Sequence, residues 1–560
     1  MGGKGSPQAA DPRGSAFRPA LQPAHFSAVA LFPWSKGGLP VQAVPLIFTT
    51  MRKTFWAVSI GLILLIAVAG QAHHRFFWAY AVVLPLFLLG VYNLVQPRHT
   101  ILRNFPVLGY ARYFFEFISP EIQQYFIERH TDGRPFSRQQ RSLAYQRAKN
   151  VMDTVPFGTQ LDINAANYEG IRHSIFPKAH PAEPPRIKIG GALCAKPYMA
   201  SLLNISAMSF GALSNRAVLA LNAGAKKGGF YHNTGEGGLS DHHLAPGGDL
   251  VWQIGTGYFG CRDKDGRFDP ELFRSKVAAH PQVRMIELKL SQGAKPGHGG
   301  VLPAVKNTPE IARIRHLEPH TTVVSPPGHS AFSDAAGLLL FIGRLRELSG
   351  GLPVGFKLCI GRTEEFTALC EKMLETGTRP DFITVDGAEG GTGASPLEFT
   401  DSVGMPIEPA LMYVRRTLER FALHDEVKII ASGKVLTAAS LMKMLALGAD
   451  VCNSARGFLF SLGCIQALRC NTNDCPTGIT THQRSLVRGL VVTEKSERVF
   501  HFHRNTLHTL MELLAACGLD HVEDVNTGHF MRGDEFVKLA DRYFPDRLTQ
   551  VMHASPGGAS

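Results

Sequence analysis

The chain has 560 residues, 45% hydrophobic and 19% charged, with a formal net charge of +12 at pH 7. That length allows roughly two to four domains or one large barrel with additions, and the composition is that of a globular enzyme with some membrane content. A basic balance can serve nucleic acid, anionic lipid or acidic small molecules; no Lys/Arg run with interleaved aromatics occurs, which excludes nucleic acid and leaves the other two.

Residues 1–50 scatter Pro, Gly, Ala and Ser without a sustained period and are expected to be disordered. Met1-Gly2 with Ser6 matches a myristoylation pattern short enough to recur by chance. Met51-Arg52-Lys53, ahead of an apolar run, reads as an alternative start, which would make the first fifty residues an over-long reading frame. Two uncharged apolar stretches follow: Phe55–Gly70, about sixteen residues and marginal for crossing a bilayer, and Phe76–Val95, about twenty and long enough. Only Gln71–Arg75 separates them, so residues 51–97 read as a transmembrane hairpin. Arg52 and Lys53 before it, and Arg98, Arg103 and Arg112 after it, put both outer ends in the cytoplasm. The expectation is an inner-membrane protein with two helices and a cytoplasmic catalytic domain. A cleaved signal peptide is the rival for the first stretch, but the second follows too closely and no clear cleavage site separates them.

Residues 98–190 are expected to be a helical connector, aromatic and charged at first (RYFFEFISPEIQQYFIERH), then loosened by Pro177, Pro181, Pro184 and Pro185. From about Leu202 short β-branched runs alternate with amphipathic stretches such as SNRAVLALNAGAKKG and AASLMKMLALGA. The predicted strands are 202–208, 230–234, 284–290, 321–326, 353–360, 381–387, 427–433 and 450–455. Eight β-then-α units define an α/β fold, a (β/α)8 TIM barrel preceded by the membrane hairpin and juxtamembrane helices. A doubly wound open sheet is the alternative. The long gap between the second and third predicted strands calls for an excursion there. Residues 486–560 are expected to form a C-terminal helical extension.

In such a barrel functional groups sit at the carboxyl ends of the strands. Those ends carry Ser206-Ala207-Met208-Ser209-Phe210-Gly211, Asn233-Thr234-Gly235-Glu236-Gly237-Gly238 and Lys289-Leu290-Ser291-Gln292-Gly293-Ala294-Lys295-Pro296-Gly297. Further along come Lys357, Asp386-Gly387-Ala388-Glu389-Gly390-Gly391-Thr392-Gly393, Ser432-Gly433-Lys434 and Ala455-Arg456-Gly457. The glycine clusters mark tight loops or close backbone approach to a ligand. Of nine Cys, three fall in Cys464-x5-Cys470-x4-Cys475-Pro476, which reads as metal ligation in a reducing compartment. Short Cys spacings with a following Pro suit iron–sulfur ligation; zinc would want a fourth ligand, and His482 is within reach. The other six Cys read as buried small residues.

The phrases SAMSFGALS, NTGEGG, QGAKPGHGG, SPPGH and DGAEGGTGASP, in this order and followed by the Cys cluster, resemble the FMN-binding synthase domain of glutamate synthases over about residues 191–485. With the hairpin, the chain resembles the stand-alone FMN-binding glutamate synthase family. The resemblance implies FMN and a 3Fe-4S cluster on Cys464, Cys470 and Cys475. It implies Lys289, Gln292 and Lys295 as 2-oxoglutarate ligands, and Glu236 with Lys295 as catalytic residues. FMN would be held by Ser206, Met208, Ser209, Lys357, Gly391, Gly393, Ser432, Gly433, Arg456 and Gly457. The chemistry agrees: a flavin phosphate needs backbone N–H groups at a Gly-rich turn opening a helix, and the turns after strands seven and eight hold that place in barrels. Lys357 suits negative charge on the flavin, or else a barrel-mouth salt bridge. Glu236 suits proton handling, or else serves only as a partner for Lys295. Asp386 and Glu389 suit a role fixing their Gly loop.

The reaction implied is reductive amination of 2-oxoglutarate to L-glutamate. No Cys precedes Cys194 to serve an amidotransferase domain, and no dinucleotide fingerprint occurs. Ammonia or an amine would come from elsewhere, through a separate amidotransferase if glutamine is the source. Electrons would come from a separate donor: ferredoxin, a flavoprotein or quinol. Two other readings stay open, an FMN oxidoreductase for another oxo acid or amine and a membrane electron-transfer subunit.

Overall fold

Where side chains are apolar on every side, a helix is the conformation that satisfies the backbone without water, and the described residues open on such a helix. The computed structural model describes residues 44–532 apart from Met152, Asn164, Ala166, Pro181 and Ala182; residues 1–43 and 533–560, with the expectations placed on them, lie outside the described residues. Two units result, residues 1–119 and 120–560. In the first, the helices Val44–Ala72 and Tyr80–Val95 are joined by a 3-10 turn, His74–Ala79. Two spans of 22 residues, Met51–Ala72 and His74–Val95, are long and apolar enough to cross a membrane. The first helix starts at Val44, inside the stretch expected to be disordered, so its span is longer than the sixteen residues read from the sequence. Phe55 stacks on Phe87 across the pair (6.2 Å), while Leu64, Leu65, Val68 and Leu88 face outward.

The second unit is built on a closed barrel of eight parallel strands: β1 (Leu203–Ile205), β2 (His232–Asn233), β3 (Leu250–Ile254), β4 (Val283–Lys289), β5 (Val354–Leu358), β6 (Phe382–Asp386), β7 (Lys428–Ser432) and β8 (Val451–Ser454). Closure comes where Cys452, Asn453 and Ser454 register with Leu203, Asn204 and Ile205. The TIM barrel is as expected, but one strand was misplaced. LVWQI at 250–254 is the third strand, buried along its whole length; its apolar run has no alternation because both faces are covered. TTVVSP is not in the barrel. Val323–Val324 pairs antiparallel with Val301–Leu302 in a small hairpin, and Val324 is exposed. The excursion therefore follows β4, not β2, and Lys289 stands at the end of the fourth strand.

The connector is helical only to Arg138–Lys149, which opens on a capping box at Ser137 and Gln140. Beyond it Ile187–Ile189 pairs with Tyr198–Ala200. Ile189 and Tyr198 pack with Tyr231, Val251, Met285, Phe382, Ile430 and Val451 to close the barrel floor. The helix Val492–Ala516 packs on Asn215–Gly228 and Arg138–Lys149. Gly224 permits that approach, since a Cβ there would stand 2.5 Å from Val499. Glu169–Ile171 pairs with Phe530–Arg532.

Candidate active site at the barrel mouth

The loop after β2 turns at Gly235 in the left-handed region (φ +64°) and delivers Glu236 over the barrel. Lys289, the last residue of β4, pairs with Glu236 (2.8 Å). A Cβ on Gly255 or Gly300 would stand 2.7 or 2.4 Å from the Glu236 carboxylate, so both glycines make its cradle. Burial works to raise the carboxyl, but Lys289, with Arg315 and Lys295 behind it, holds it below the usual carboxylate range. The alternative reading of Glu236 as a partner for Lys295 gives way to a salt bridge with Lys289.

Gln292, Gly293 and Lys295 form one turn. The Lys295 N–H donates to the Gln292 carbonyl (3.1 Å), and the Gly293 N–H donates to Asp386 Oδ2 (2.9 Å). Lys295 Nζ donates to the Ala394 carbonyl (2.8 Å); burial and the neighbouring Lys289 bring its ammonium down to about 8. Asp386 also pairs with Lys357 (3.1 Å). Burial disfavours the Lys357 charge, yet Asp386 and Glu287 hold its pKa above the ordinary lysine value. Lys357 thus makes the barrel-mouth salt bridge anticipated as its alternative role.

Across the mouth, Ser206 Oγ and Ser432 Oγ lie 3.5 Å apart, joining β1 to β7. Arg456 Nη2 donates to the Glu389 carbonyl (3.0 Å), and its guanidinium lies over the Phe136 ring. Gly391 abuts Arg456, Gly393 abuts Cys470, Gly433 abuts Ile407 and Gly457 abuts Ser454. Glu389 accepts the Ile407 N–H (3.0 Å) and so fixes its loop. Met208 is buried, and Ser209 Oγ accepts from Arg315 (3.4 Å). Cationic side chains therefore line the mouth: Lys289, Lys295, Lys357 and Arg315 are buried and Arg456 is half-buried, with Lys357 registered beside Lys289 on the neighbouring strand.

Ser206, Ser432, Lys357 and Arg456 fit FMN. Two serine hydroxyls, a guanidinium and the first N–H groups of the helix Arg456–Leu462, which lack intrahelical acceptors, are donors suited to a phosphate, and Lys357 suits an anionic ring edge. All nine Cys are free thiols. Burial pushes Cys464 up to about 12, with Cys470 and Cys475 close enough to add to the effect. Thr477 Oγ1 lies 3.3 Å from Cys475 Sγ. Among the described residues no three His, Cys, Asp or Glu side chains close on a single ion, and His482, the fourth ligand considered for zinc, donates Nε2–H to the Gly211 carbonyl (2.9 Å). Three neighbouring thiols without a fourth donor fit a multi-iron cluster better than one zinc ion.

Sequence reasoning missed three residues. Arg315 is buried, donates to the Phe210 carbonyl (3.1 Å) and lies over Phe259; burial lowers its pKa to about 10. His329 Nε2–H donates to the Lys289 carbonyl (3.0 Å) and its Nδ1 accepts from the Tyr258 hydroxyl (3.0 Å); burial takes the ring to about 4, keeping it neutral. Arg315 had no signal, whereas His329 lay within the SPPGH phrase. Tyr258 sits in the turn after the unread strand β3.

A closed barrel with buried cations at its mouth is suited to anionic ligands. A family model described as the conserved region in glutamate synthase matches residues 167–520. The chain is 40% identical over 466 residues to the glutamate synthase large subunit-like protein YerD of Bacillus subtilis, covering 76% of this chain and 88% of that protein. It is 33% identical over 322 residues to the archaeal glutamate synthase (NADPH) of Methanocaldococcus jannaschii, 57% of this chain and 60% of that one. With the corresponding protein of Archaeoglobus fulgidus it shares 34% over 322 residues, 57% and 59%. The match thus spans about three-fifths of the archaeal relatives' length. The chain belongs to the glutamate synthase family and is an oxidoreductase of that type.

Proposed function

We propose that the chain catalyses the reductive amination of 2-oxoglutarate to L-glutamate with FMN and a 3Fe-4S cluster, tethered to the inner membrane by its two apolar helices with the barrel in the cytoplasm. Nitrogen arrives as ammonia or an amine from outside the barrel, and electrons come from a separate ferredoxin, flavoprotein or quinol. The observation that carries this reading is the Glu236–Lys289 pair at 2.8 Å with Lys295 beside it: a carboxylate and two ammonium groups facing one cradle.

The overall change is 2-oxoglutarate plus ammonium, two electrons and two protons giving glutamate and water. FMN, when bound and reduced, supplies the hydride equivalent. Lys289 and Lys295 hold substrate carboxylate, with the Gln292 amide as a further donor. Glu236, ionised, accepts N–H from ammonium and takes its proton as nitrogen attacks the ketone. Lys289 is shared between Glu236 and substrate, so binding the dianion loosens the pair and frees the carboxylate to act as base. Neutral His329 steadies the Lys289 backbone, and Arg315 keeps the Ser209–Phe210 loop in place behind Glu236. Gly255 and Gly300 leave room for the nitrogen. Ser206, Ser432, Gly433, Arg456 and Gly457 would hold the flavin phosphate. Gly391 and Gly393 bring their loop against the same ligand, with Met208 and Ser209 from the β1 loop.

The test is anaerobic: mix purified, reduced protein with 2-oxoglutarate and ammonium, following flavin absorbance and glutamate together. Flavin reoxidation in step with glutamate is expected. A flavin that stays reduced with ammonium, glutamine and methylamine alike would leave the chain an electron relay or an enzyme for another substrate.

A further inference from the structure

The segment 464–482, which holds the three clustered cysteines, is fastened to the loop after β1 at three points. Ser214 Oγ donates to the Gly478 carbonyl (2.7 Å), and His482 reaches the Gly211 carbonyl (2.9 Å). The third is Lys306, in the excursion after β4, whose Nζ donates to the Ala212 carbonyl (3.1 Å) and the Cys470 carbonyl (2.9 Å). Lys306 is 3% exposed. Among the described residues no carboxylate pairs with it, and its ammonium donates only to the two backbone carbonyls.

A buried ammonium whose hydrogen bonds all go to neutral carbonyls is expensive to keep. Every other buried lysine at this end of the barrel has an acidic neighbour: Lys289 has Glu236, Lys357 has Asp386, and Lys295 feels Glu236. The counter-charge missing at Lys306 is what three thiolates and an iron–sulfur cluster would bring. We propose that Lys306 is a positioning residue whose fixed positive charge, set between the Ala212 and Cys470 carbonyls, raises the cluster's reduction potential and locks the cysteine loop against the flavin-side loop. This inference rests on the cluster assignment proposed above. Adding an electron makes the cluster more negative, so a buried cation stabilises the reduced form, and removing the cation shifts the midpoint to more negative potential.

The experiment is a redox titration of full-length holoprotein, with the cluster followed by electron paramagnetic resonance, for wild type and for Lys306→Met, Lys306→Gln and Lys306→Arg. Met and Gln variants are expected to keep the cluster signal with a more negative midpoint, and Arg to restore the wild-type value. Should Met disturb loading of iron, Gln keeps the hydrogen bonds without the charge and gives the same reading. An unshifted midpoint in a cluster-loaded Gln variant overturns the proposal. Wild-type protein that binds flavin but no iron removes the cluster assignment and this inference with it, an outcome distinct from an unshifted midpoint.

Discussion

Two carboxylates of the barrel, buried Glu287 and half-buried Glu236, do opposite work. Glu287, inside the barrel on β4, takes hydrogen bonds from Asn233 Nδ2 (2.8 Å), Gln253 Nε2 (2.6 Å) and the Thr384 hydroxyl (2.6 Å). Neutral donors from three other strands satisfy both oxygens and tie the strands together. Glu236, at the mouth, has a cation for its partner and a space cleared by glycines. A network of neutral donors holds a carboxylate still; a mobile lysine leaves it available to a ligand that can compete for that lysine.

The widest separation of the two roles comes from Glu236→Gln, which is expected to lower glutamate formation by ~10²–10⁴-fold while leaving the thermal midpoint nearly unchanged. Lys295→Ala comes next: truncating one buried charge contact of about 2–5 kcal/mol weakens 2-oxoglutarate binding by roughly 30- to 4,000-fold, read from ligand-induced flavin absorbance. Glu287→Ala is the mirror image. It orphans three buried donors and is expected to reduce stability by about 3 kcal/mol or more, measured by urea unfolding. Comparable stability losses in the Glu236 and Glu287 variants would erase the distinction.

A smaller effect follows from pH. The Lys295 ammonium, lowered to about 8, is charged below that pH and neutral above it. The kcat/KM for 2-oxoglutarate should therefore fall up to ~tenfold per pH unit above about 8, and Lys295→Arg should move the fall to higher pH. Folding runs the other way. The folded chain holds fewer protons at this residue than the unfolded chain between about 8 and the ordinary lysine value, so its contribution to stability improves as pH rises through that window. The smallest effect is reserved for Arg274→Ala, which removes an exposed pair with Glu271 and should stay within ~0.5 kcal/mol of wild type with full activity.

Seven of the eight barrel strands were legible because their β-branched runs end in phrases rich in Gly and polar residues, where barrels keep their ligands. The strand that was missed, LVWQI, has no period-two pattern because both faces are covered, and a segment buried on both sides carries no register signal. TTVVSP was mistaken for a strand of the barrel because two adjacent valines look the same in a short surface hairpin. Lys289, Gln292, Lys295 and Glu236 were legible from their phrases, and the structure gathers them around one mouth. Arg315, His329 and Lys306 lie in the excursion between β4 and β5, where only tertiary folding brings them back to the site.

Barrel closure has a consequence for biogenesis. The β8–β1 ladder joins Cys452 to Leu203 across about 250 residues of chain, and the helix Val492–Ala516 that seals the groove at Gly224 comes later still. Contacts so far apart in sequence form late. On the ribosome, therefore, the first strands must wait, unsealed, until the strand Val451–Ser454 and the helix Val492–Ala516 have been made. A nascent chain stalled before Val492 would expose the groove on Asn215–Gly228 that this helix covers, and quality-control machinery would meet an open barrel.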